Sequence, residues 1–408
     1  MKQTLAVARS LGRAGLHLVL ADRRDPAESR RPPAFSSRWA GATSFLADFD
    51  EDPDDFAAGV VDLVLASRPA VVVPASDQSI ACLRPWRTEI ERHTRLAMGS
   101  EAALKIAVDK HATLALASEL GIDVPKMAML DDDDDLAAIM DGIGYPAVIK
   151  PSWSWSRGFA GRRLVPTAVL NIAEASVAVS LLRRAGAPVL VQELLRGERE
   201  GLSLFRANNR VLAEFAHVSV RTTPMLGGAC AVRESIPMPP DLRKAAVALI
   251  TAMDLDGYSQ IEFRRDLNGR PVLMEVNPRL SGSIELAWRS GIDFPLMIWR
   301  WASGGHVQQS SGYRSGVRLR WLTGDGRWLL ETLRAPGRPD STPAGSAIAA
   351  FARDFLRGTG YDFVDAEDPL PALAEANRVL RKVARKMVKR PNKHESGHNV
   401  GALWYQEK

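Results

Sequence analysis

Residues 261–279 read IEFRRDLNGRPVLMEVNPR, two apolar runs joined by the turn-forming segment LNGR. This pattern predicts a β-hairpin whose two strands lie side by side. Glu262 and Glu275 each interrupt one of the apolar runs. Because an isolated carboxylate is costly to remove from water, each acid needs a compensating cation inside the fold. The stretch therefore predicts a charged site on an otherwise apolar sheet.

Two kinds of cation could compensate the hairpin acids. Asn277 follows the second strand, and carboxylate and amide oxygens without His or Cys form a hard-oxygen donor set. Such a set favours Mg²⁺ or Mn²⁺ over zinc, and magnesium in turn indicates a phosphate-containing ligand. Alternatively, the acids pair with Arg264, Arg265 or Arg279, and the hairpin is purely structural. The hairpin by itself leaves both interpretations open.

The composition is that of an ordinary globular protein. The length of 408 residues exceeds one typical core, which predicts two or three domains. Cys82 and Cys230 are far apart, which argues against structural zinc and against a disulfide framework, and favours a reducing cytoplasm. No apolar run approaches the roughly 18 to 20 residues of a membrane span, and no cleavable leader is apparent. We therefore expect a soluble, cytoplasmic protein.

The net charge of +5 does not indicate a nucleic-acid partner. The excess lies mainly in Arg-rich loops and near the C-terminus, and no helix-turn-helix, RRM or zinc signature accompanies it. A mild positive charge suits anionic small substrates equally well. A basic amphipathic helix is predicted around residues 369–390, where we expect a solvated outer face, with docking to an anionic membrane or a partner as the alternative.

Alternating helix and strand patterns organise the first 100 residues. They predict helices over 3–14 and 53–66, strands over 16–22 and 70–75, and a further helix that begins at Ser76 or Asp77. Such alternation implies parallel strands joined by crossover helices, hence an open α/β domain. A domain of this kind normally begins with a strand, whereas this chain begins with a helix. Whether a first strand is missing therefore stays open.

The pattern changes beyond residue 100. Helices are predicted over about 100–121 and 240–254, strands over 145–152 and 188–195, and an antiparallel sheet over about 201–236. The acidic run 131–135 lacks the glycine and closing glutamate of a calcium loop, so it predicts a helix N-terminus. Patterning weakens past residue 305. We therefore divide the chain into domains 1–100, 101–305 and 306–408.

Several motifs resemble those of the ATP-grasp superfamily. They are DKHATLALASELGIDVP (109–125), YPAVIKPS (145–152), VLVQELLRGEREGLS (189–203), and IEF followed by MEVNPRLSGS (261–263 and 274–283). GGACAVRES, IELAWRSGIDFP and YRSGVRLRWLTGD further resemble a bacterial, carboxylate-amine ligase-like subgroup. The resemblance implies a multidomain fold of α/β and α+β class, in which an N-terminal open parallel α/β domain precedes the two-lobed ATP-grasp fold.

The resemblance also implies a role for each matched residue around the phosphates. Lys110 and Lys150 would contact the phosphates of ATP. Glu262, Glu275 and Asn277 would bind the Mg²⁺ or Mn²⁺ ion that bridges those phosphates.

The base and ribose would lie against the segment after the strand at 188–195. Gln192, Glu193 and Leu195 would form the hinge against adenine, with Glu193 accepting a hydrogen bond from its amino group and the Leu195 backbone pairing with the ring. Glu200 would hold the ribose hydroxyls, although Glu198 lies close by in the sequence and leaves that alignment open.

The substrate groups implied by the resemblance are basic. Arg279 would hold the acyl phosphate or the substrate carboxylate, and Arg233 is either a second anion contact or part of a structural salt bridge. Loops 152–161 and 221–228 are the candidate lids that exclude water. His217 alternates with apolar residues in its strand, so we expect a hydrogen-bonded strand residue and not a catalytic base.

The implied activity is that of an ATP-dependent carboxylate-amine ligase acting on small molecules. A carboxylate would take the γ-phosphoryl group of ATP, and an amine would then displace phosphate to form an amide. Positioning and electrostatics supply most of such catalysis, so no protein nucleophile is required. Thiol ligation, carboxylation, a small-molecule kinase and a non-catalytic ATP-binding protein stay open as alternatives, as does a homodimer. PASDQS (74–79) would face the acceptor substrate.

Overall fold

The structure of the protein is a computed structural model that describes residues 2–24, 31–153, 164, 166–225, 228–335, 337 and 341–388. Its N-terminal part contains α1 (Lys2–Arg13), β1 (Val19–Arg23), a 3₁₀ turn (Pro33–Ser36), β2 (Ala42–Leu46), α2 (Pro53–Ser67), β3 (Val71–Val72), α3 (Asp77–Leu83), α4 (Arg87–Glu91) and β4 (Arg95–Leu96). Strands β1 and β2 pair in parallel, as do β3 and β4. The predicted parallel pairing is thus confirmed, although the described strands form two separate two-stranded sheets.

Helix α3 begins as the sequence predicts. The Ser76 side chain accepts a hydrogen bond from the Ser79 backbone, and the Ser79 side chain accepts one from the Ser76 backbone. This reciprocal capping satisfies backbone N–H groups that a helix N-terminus otherwise leaves unpaired. It fixes the first residue of the helix, Asp77, at the edge of the N-terminal part.

The next part of the chain builds a four-stranded sheet. Its elements are α5 (Glu101–Ala107), α6 (Lys110–Glu119), β5 (Met127–Leu130), α7 (Leu136–Ile143), β6 (Ala147–Pro151), β7 (Thr167–Val169), α8 (Ile172–Arg184) and β8 (Val189–Glu193). The strands lie in the order β5-β8-β6-β7, and every neighbouring pair is antiparallel. Apolar side chains of α7 and α8 pack on this sheet.

The helix predicted over about 100–121 is divided into two. The carboxylate of Asp109 accepts hydrogen bonds from the backbone N–H groups of His111 and Ala112, which makes it the N-cap of α6. Aspartate is among the residues that most favour this position. The apolar spacing continues across the break, so periodicity gave no sign of it. The division places Lys110 at the first turn of α6.

The following elements form a larger sheet. They are β9 (Arg199–Ala207), β10 (Arg210–Thr223), β11 (Ala229–Ser235), α9 (Pro240–Ala252), β12 (Gly257–Arg265), β13 (Pro271–Asn277), α10 (Ile284–Ser290), α11 (Phe294–Ala302), β14 (Arg318–Arg320), α12 (Leu322–Arg334), α13 (Ala344–Leu356), β15 (Gly360–Tyr361) and α14 (Leu370–Val388). The described strands lie in the order β13-β12-β9-β10-β11-β14-β15. The mixed α/β and α+β class predicted from the sequence is confirmed.

Strand register gives the larger sheet two different faces. Glu262 of β12 lies directly opposite Glu275 of β13 on one side and Gly201 of β9 on the other. These residues therefore share a face, which we call the acid face. Leu202 and Phe263 point to the opposite face and pack with α6 and α9 in an apolar core. The hairpin predicted from residues 261–279 is confirmed.

The C-terminal region is attached to the larger sheet. Strands β14 and β15 extend the sheet beyond β11. Asp325 of α12 is fully buried and accepts hydrogen bonds from Arg221 at 2.6 and 2.8 Å and from Arg320 at 2.7 Å. The boundary at residue 305 stays a prediction. Over the described residues, no helix has the length and apolar character needed to cross a membrane.

Candidate functional site

The hairpin acids and Asn277 lie together on the acid face. Asn277 is two residues beyond Glu275 and lies opposite Gln260 in the register, so its side chain points the same way. Its amide Nδ2 donates to Glu275 Oε1 at 3.1 Å. One face of one hairpin thus presents two carboxylates and an amide.

Two lysines, one on α6 and one on β6, face these acids. Lys110 begins α6 and Lys150 is near the end of β6, and both are largely buried. Lys110 Nζ lies 3.9 Å from Glu275 Oε2. Burial lowers the pKa of Lys150 to about 7, and repulsion from Lys110 adds to this, whereas Glu275 and Glu262 act against it. The lysines and acids therefore belong to one electrostatic cluster between the two sheets.

The charge of Glu275 is strongly stabilised. Burial would raise the pKa of this carboxyl group, but Lys110, the hydrogen bond from Asn277, Lys150 and Arg199 outweigh it and lower the pKa to about 2. Glu275 is therefore ionised at neutral pH. An ionised carboxylate is the form that binds a divalent cation.

Asp109 links the two segments that carry the lysines, a contact that the sequence analysis did not assign. Besides capping α6, its carboxylate accepts hydrogen bonds from Ser152 Oγ at 2.9 Å and Trp153 Nε1 at 3.0 Å. The Lys110 N–H donates to the Ser152 carbonyl at 3.1 Å. Asp109 thus ties the start of α6 to the end of β6. An aspartate directly before a lysine inside an apolar helix pattern was the available signal.

Arg199 is the second residue that the sequence analysis missed. Its Nε donates to Glu262 Oε2 at 2.9 Å, its Nη2 donates to the same oxygen, and its Nη1 donates to the Gly228 carbonyl at 2.6 Å. Arg265, which the structural alternative proposed as a partner of the acids, pairs instead with Glu200 and Asp241. Each hairpin acid therefore has a basic partner, but the partners are Arg199 and Lys110.

Arg279 joins the acid face to the N-terminal part of the chain. Its Nη2 donates to Asn277 Oδ1 at 3.0 Å, and its Nε lies 3.1 Å from Asp77 Oδ1. A small, partly open pocket lies between α3 and the end of β13. It is lined by Asp77, Ile80, Ala81, Arg84, Val108 and Val276, together with Asn277 and Pro278. The segment PASDQS thus contributes Asp77 to a pocket beside the acids.

The predicted adenine hinge lies beside the hairpin. Gln192 is buried, and its Nε2 is 3.9 Å from the Met274 sulfur, which brings β8 close to β13. Within the described part of the chain, its Oε1 has no hydrogen-bond partner. Glu193 Oε1 accepts from the Lys126 N–H at 2.8 Å, so this carboxylate already has a backbone donor. The Leu195 carbonyl accepts from Arg264 at 3.2 Å.

Glu200 lies on the opposite face of β9 from the one that carries the hairpin acids. In the register it is opposite Phe263, so it points to the face that carries the apolar core and away from Glu262. Its carboxylate accepts from Arg265 Nε at 2.6 Å. Its role at the ribose hydroxyls stays a prediction. Glu198 is exposed just before the strand.

Arg233 and His217 form a buried polar group next to the acid face. Arg233 pairs with Asp362, which is the salt-bridge alternative that the sequence left open; its role as an anion contact stays a prediction. His217 Nε2 is 2.9 Å from Ser283 Oγ, as expected for a hydrogen-bonded strand residue. Burial lowers the pKa of His217 to about 3, with Arg233 and Arg199 adding to the effect.

The two candidate lids are described in part. In loop 152–161, Ser152 and Trp153 are described, whereas residues 154–161, with Trp155 and Phe159, lie outside the described residues. In loop 221–228, residues 226 and 227 lie outside them. Thr222 Oγ1 donates to the Met225 carbonyl at 2.8 Å. The lid function of both loops stays a prediction.

The donor set fits magnesium carried by a phosphate ligand. Two carboxylates and an amide oxygen are hard donors, and magnesium commonly completes its six ligands with phosphate and water oxygens. Among the described residues, no cluster of three or more His, Cys, Asp and Glu side chains forms a metal site made by protein alone. The orphaned Gln192 Oε1 suits a donor such as an amino group.

The chain is similar to known proteins over its middle part. Residues 186–325 match the family described as ATP-grasp in the biosynthetic pathway with Ter operon. The carbamoyl phosphate synthase large chain of Archaeoglobus fulgidus is 30% identical over 203 residues, which cover 48% of this chain and 18% of that protein. The match thus spans well under two thirds of that relative's length.

Solved structures share the fold. The biotin carboxylase domain of Hydrogenobacter thermophilus 2-oxoglutarate carboxylase, in complex with MgADP and bicarbonate, superposes with a TM-score of 0.61 at 15% identity, covering 78% of this chain and 71% of that one. The L-amino acid ligase of Bacillus licheniformis gives a TM-score of 0.57 at 14% identity, covering 78% and 76%. At such low identity, the likeness concerns the fold.

Proposed function

Because this chain belongs to the ATP-grasp superfamily, we propose that it is an ATP-dependent ligase that joins a small-molecule carboxylate to an amine and releases ADP and phosphate. The observation that carries the proposal is the cluster between the two sheets. There, Lys110 and Lys150 face Glu262, Glu275 and Asn277. Cations for phosphate and hard oxygens for magnesium meet at one place.

In this proposal, the nucleotide lies between the sheets. Gln192 Oε1 and the backbone near Leu195 face the base, and the two lysines face the phosphates. Lys150 is disfavoured as a buried cation, so a polyphosphate beside it stabilises its charged form. Glu262, Glu275 and Asn277 would hold magnesium, which would supply positive charge to neutralise the phosphates. The MgADP in the Hydrogenobacter neighbour supports the choice of ligand.

Arg279 holds the carboxylate substrate in this proposal. A carboxylate oxygen attacks the γ-phosphorus, the bond from phosphorus to the ADP oxygen breaks, and an acyl phosphate forms. The amine then attacks the acyl carbon, phosphate leaves, and the nitrogen loses a proton. Lys110, Lys150 and Arg279 contribute by orienting the anions and stabilising charge that develops on the transferred group.

The small pocket beside Asn277 is the proposed acceptor site. It adjoins the Arg279 end of the acids and combines an acidic group, Asp77, with the apolar Ile80 and Val108. An amine with an aliphatic portion matches that lining. An assay with a panel of carboxylates and amines would identify both substrates.

The proposal is tested by product analysis. Purified protein is incubated with ATP, Mg²⁺ and pairs of carboxylates and amines, and nucleotide and phosphate products are measured. We expect ADP and phosphate only in the presence of a productive pair. Glu275→Ala should lower turnover by about 10²-fold or more because it removes a proposed ligand of the magnesium that would stabilise charge on the phosphates. AMP and pyrophosphate as products would exclude the acyl-phosphate route.

A matched control distinguishes this role from general damage. Glu214 on β10 also pairs with a basic side chain, Arg243, but does so at the surface. Glu214→Ala should keep wild-type turnover, and both variants should show wild-type circular dichroism. Equal activity of Glu275→Ala and the wild type would remove the metal assignment.

A non-catalytic nucleotide-binding protein is the second candidate. It is favoured by the finding that Glu262 and Arg279 are both already paired with protein groups, Arg199 and Asp77. Tight ATP binding without phosphate release across the whole substrate panel would support it.

A further inference from the structure

Arg199 pairs with one of the proposed metal ligands in a buried environment. The side chain is only 14% exposed, and the Glu262 side chain is 10% exposed. Two of its nitrogens donate to a single oxygen, Glu262 Oε2, and a third donates to the Gly228 carbonyl. The same carboxylate would have to bind magnesium. Magnesium on the same carboxylate would repel the guanidinium and weaken its ion pair with Glu262, so the two cations compete electrostatically for this acid.

This competition leaves Arg199 in need of a new anion whenever a metal binds. A guanidinium stays protonated throughout the accessible pH range, so it cannot escape by losing its proton. Leaving a buried charge unpaired is strongly destabilising. Lys110 and Lys150 are nearby cations and offer no compensation. Glu275, the other nearby anion, would bind the same metal, so the anion that can supply this compensation is the ligand that arrives with the metal.

We propose that Arg199 contacts the phosphates of the bound nucleotide, exchanging Glu262 for a phosphate oxygen when magnesium takes the carboxylate. This inference rests on the proposed function. The Gly228 carbonyl keeps Nη1 in place, so the exchange involves Nε and Nη2, which already face the acid face. Guanidinium groups match phosphate oxygens well because two parallel N–H groups can bind together. The structure thus assigns this site a third phosphate-binding cation.

The exchange predicts that replacing Arg199 changes the affinity for metal and the affinity for nucleotide in opposite directions. A purely structural role of Arg199 would not give this result. Arg199→Ala removes the competitor of the metal, so Mn²⁺ in the absence of nucleotide should bind several-fold more tightly. The same variant lacks the phosphate contact, so the Mg²⁺ complex of a non-hydrolysable ATP analogue should bind about tenfold or more weakly. Free Mn²⁺ is measured by its electron paramagnetic resonance signal and nucleotide binding by calorimetry.

Two further variants keep the test decisive. Arg199→Lys retains the charge but not the paired N–H groups. It should strengthen Mn²⁺ binding and weaken nucleotide binding, as expected for Arg199→Ala, but by smaller factors. It keeps the test possible if Arg199→Ala does not fold. Arg243→Ala removes a surface arginine that also pairs with a glutamate and should change neither affinity.

The outcomes separate this inference from the proposed function. Weakening of both affinities, or a change in neither, in the Arg199 variants would overturn the exchange while wild-type nucleotide binding leaves the proposed function standing. Failure of the wild-type protein to bind the magnesium–nucleotide complex would instead overturn the proposed function, and the inference with it.

Discussion

At the residue scale, the buried His217 should make the unfolding free energy of the protein depend on pH. Its pKa is lowered to about 3, below the ordinary value of about 6.5. As the pH falls, the unfolded chain therefore takes up this proton first, and unfolding is favoured. The stability associated with neutral His217 is fully present above about pH 6.5 and is lost progressively toward pH 3.

We expect His217→Asn to lose about 2 kcal/mol less unfolding free energy between pH 7 and pH 5 than the wild type, because the variant no longer has the buried imidazole to protonate. Urea denaturation at the two pH values measures this. His93→Asn, at an exposed position, should follow the wild type. The same pH dependence in His217→Asn and the wild type would show that the imidazole is not kept neutral by the fold.

Single residues also show what a sequence can and cannot predict. Glu262 and Glu275 could be identified because a charge inside an apolar run is conspicuous. Their partner Arg199 could not, since it lies in the charged run GEREG, where every residue looks solvated. Strand alternation decides that Arg199 faces the acids and Glu200 does not, and a shift of one residue would reverse this.

At the scale of elements, Asp109 at the break between α5 and α6 should have two separately measurable effects, one on stability and one on ATP binding. Asp109→Ala removes an N-cap and should cost about 1 kcal/mol of stability. It also removes the hydrogen bonds to Ser152 and Trp153, so we expect the apparent KM for ATP to rise several-fold as Lys110 and Lys150 lose their common anchor. Thermal unfolding and initial-rate kinetics measure the two effects.

Asp135 offers a matched control for this prediction. It caps α7 in the same way, because its carboxylate accepts a hydrogen bond from the Ala137 N–H, and it lies at an exposed position. Asp135→Ala should lose similar stability without a change in the KM for ATP. If both variants change KM equally, Asp109 does not position the lysines.

Elements were predictable where periodicity and turn chemistry agreed. The hairpin β12–β13, with its LNGR turn, and α3, with its Ser76 cap, follow directly from local sequence. Strand β4 has only two residues, as does the predicted β3, and β2 shows no clear alternation in its burial. Neither β2 nor β4 was predicted. Short strands are specified by their neighbours more than by their own residues.

At the scale of the whole molecule, buried ion pairs hold the C-terminal region to the larger sheet. Asp325→Asn keeps the shape of the side chain but leaves Arg221 and Arg320 without their shared carboxylate. We expect a loss of about 3 to 5 kcal/mol in unfolding free energy, as for other broken buried pairs. Urea denaturation at neutral pH measures it.

A surface pair provides the comparison. Glu367 pairs with Arg13 but has a side chain that is 63% exposed, so Glu367→Gln should cost less than about 1 kcal/mol. A similarly small loss in Asp325→Asn would show that the C-terminal region contributes little to the stability of the sheet. The pairing was not predictable, because residues 221, 320 and 325 are distant or unpatterned in the sequence and become partners only through β14.

The Asp77–Arg279 pair means that the protein carries its own competitor for an incoming anion. Any carboxylate that approaches Arg279 meets a guanidinium that already donates to the carboxylate of Asp77. Observed affinity is then the intrinsic affinity multiplied by the fraction of time that the pair is open. In the proposed function, Asp77 would therefore exclude weakly basic or poorly shaped carboxylates, and Arg279 would admit those that also contact the neighbouring pocket.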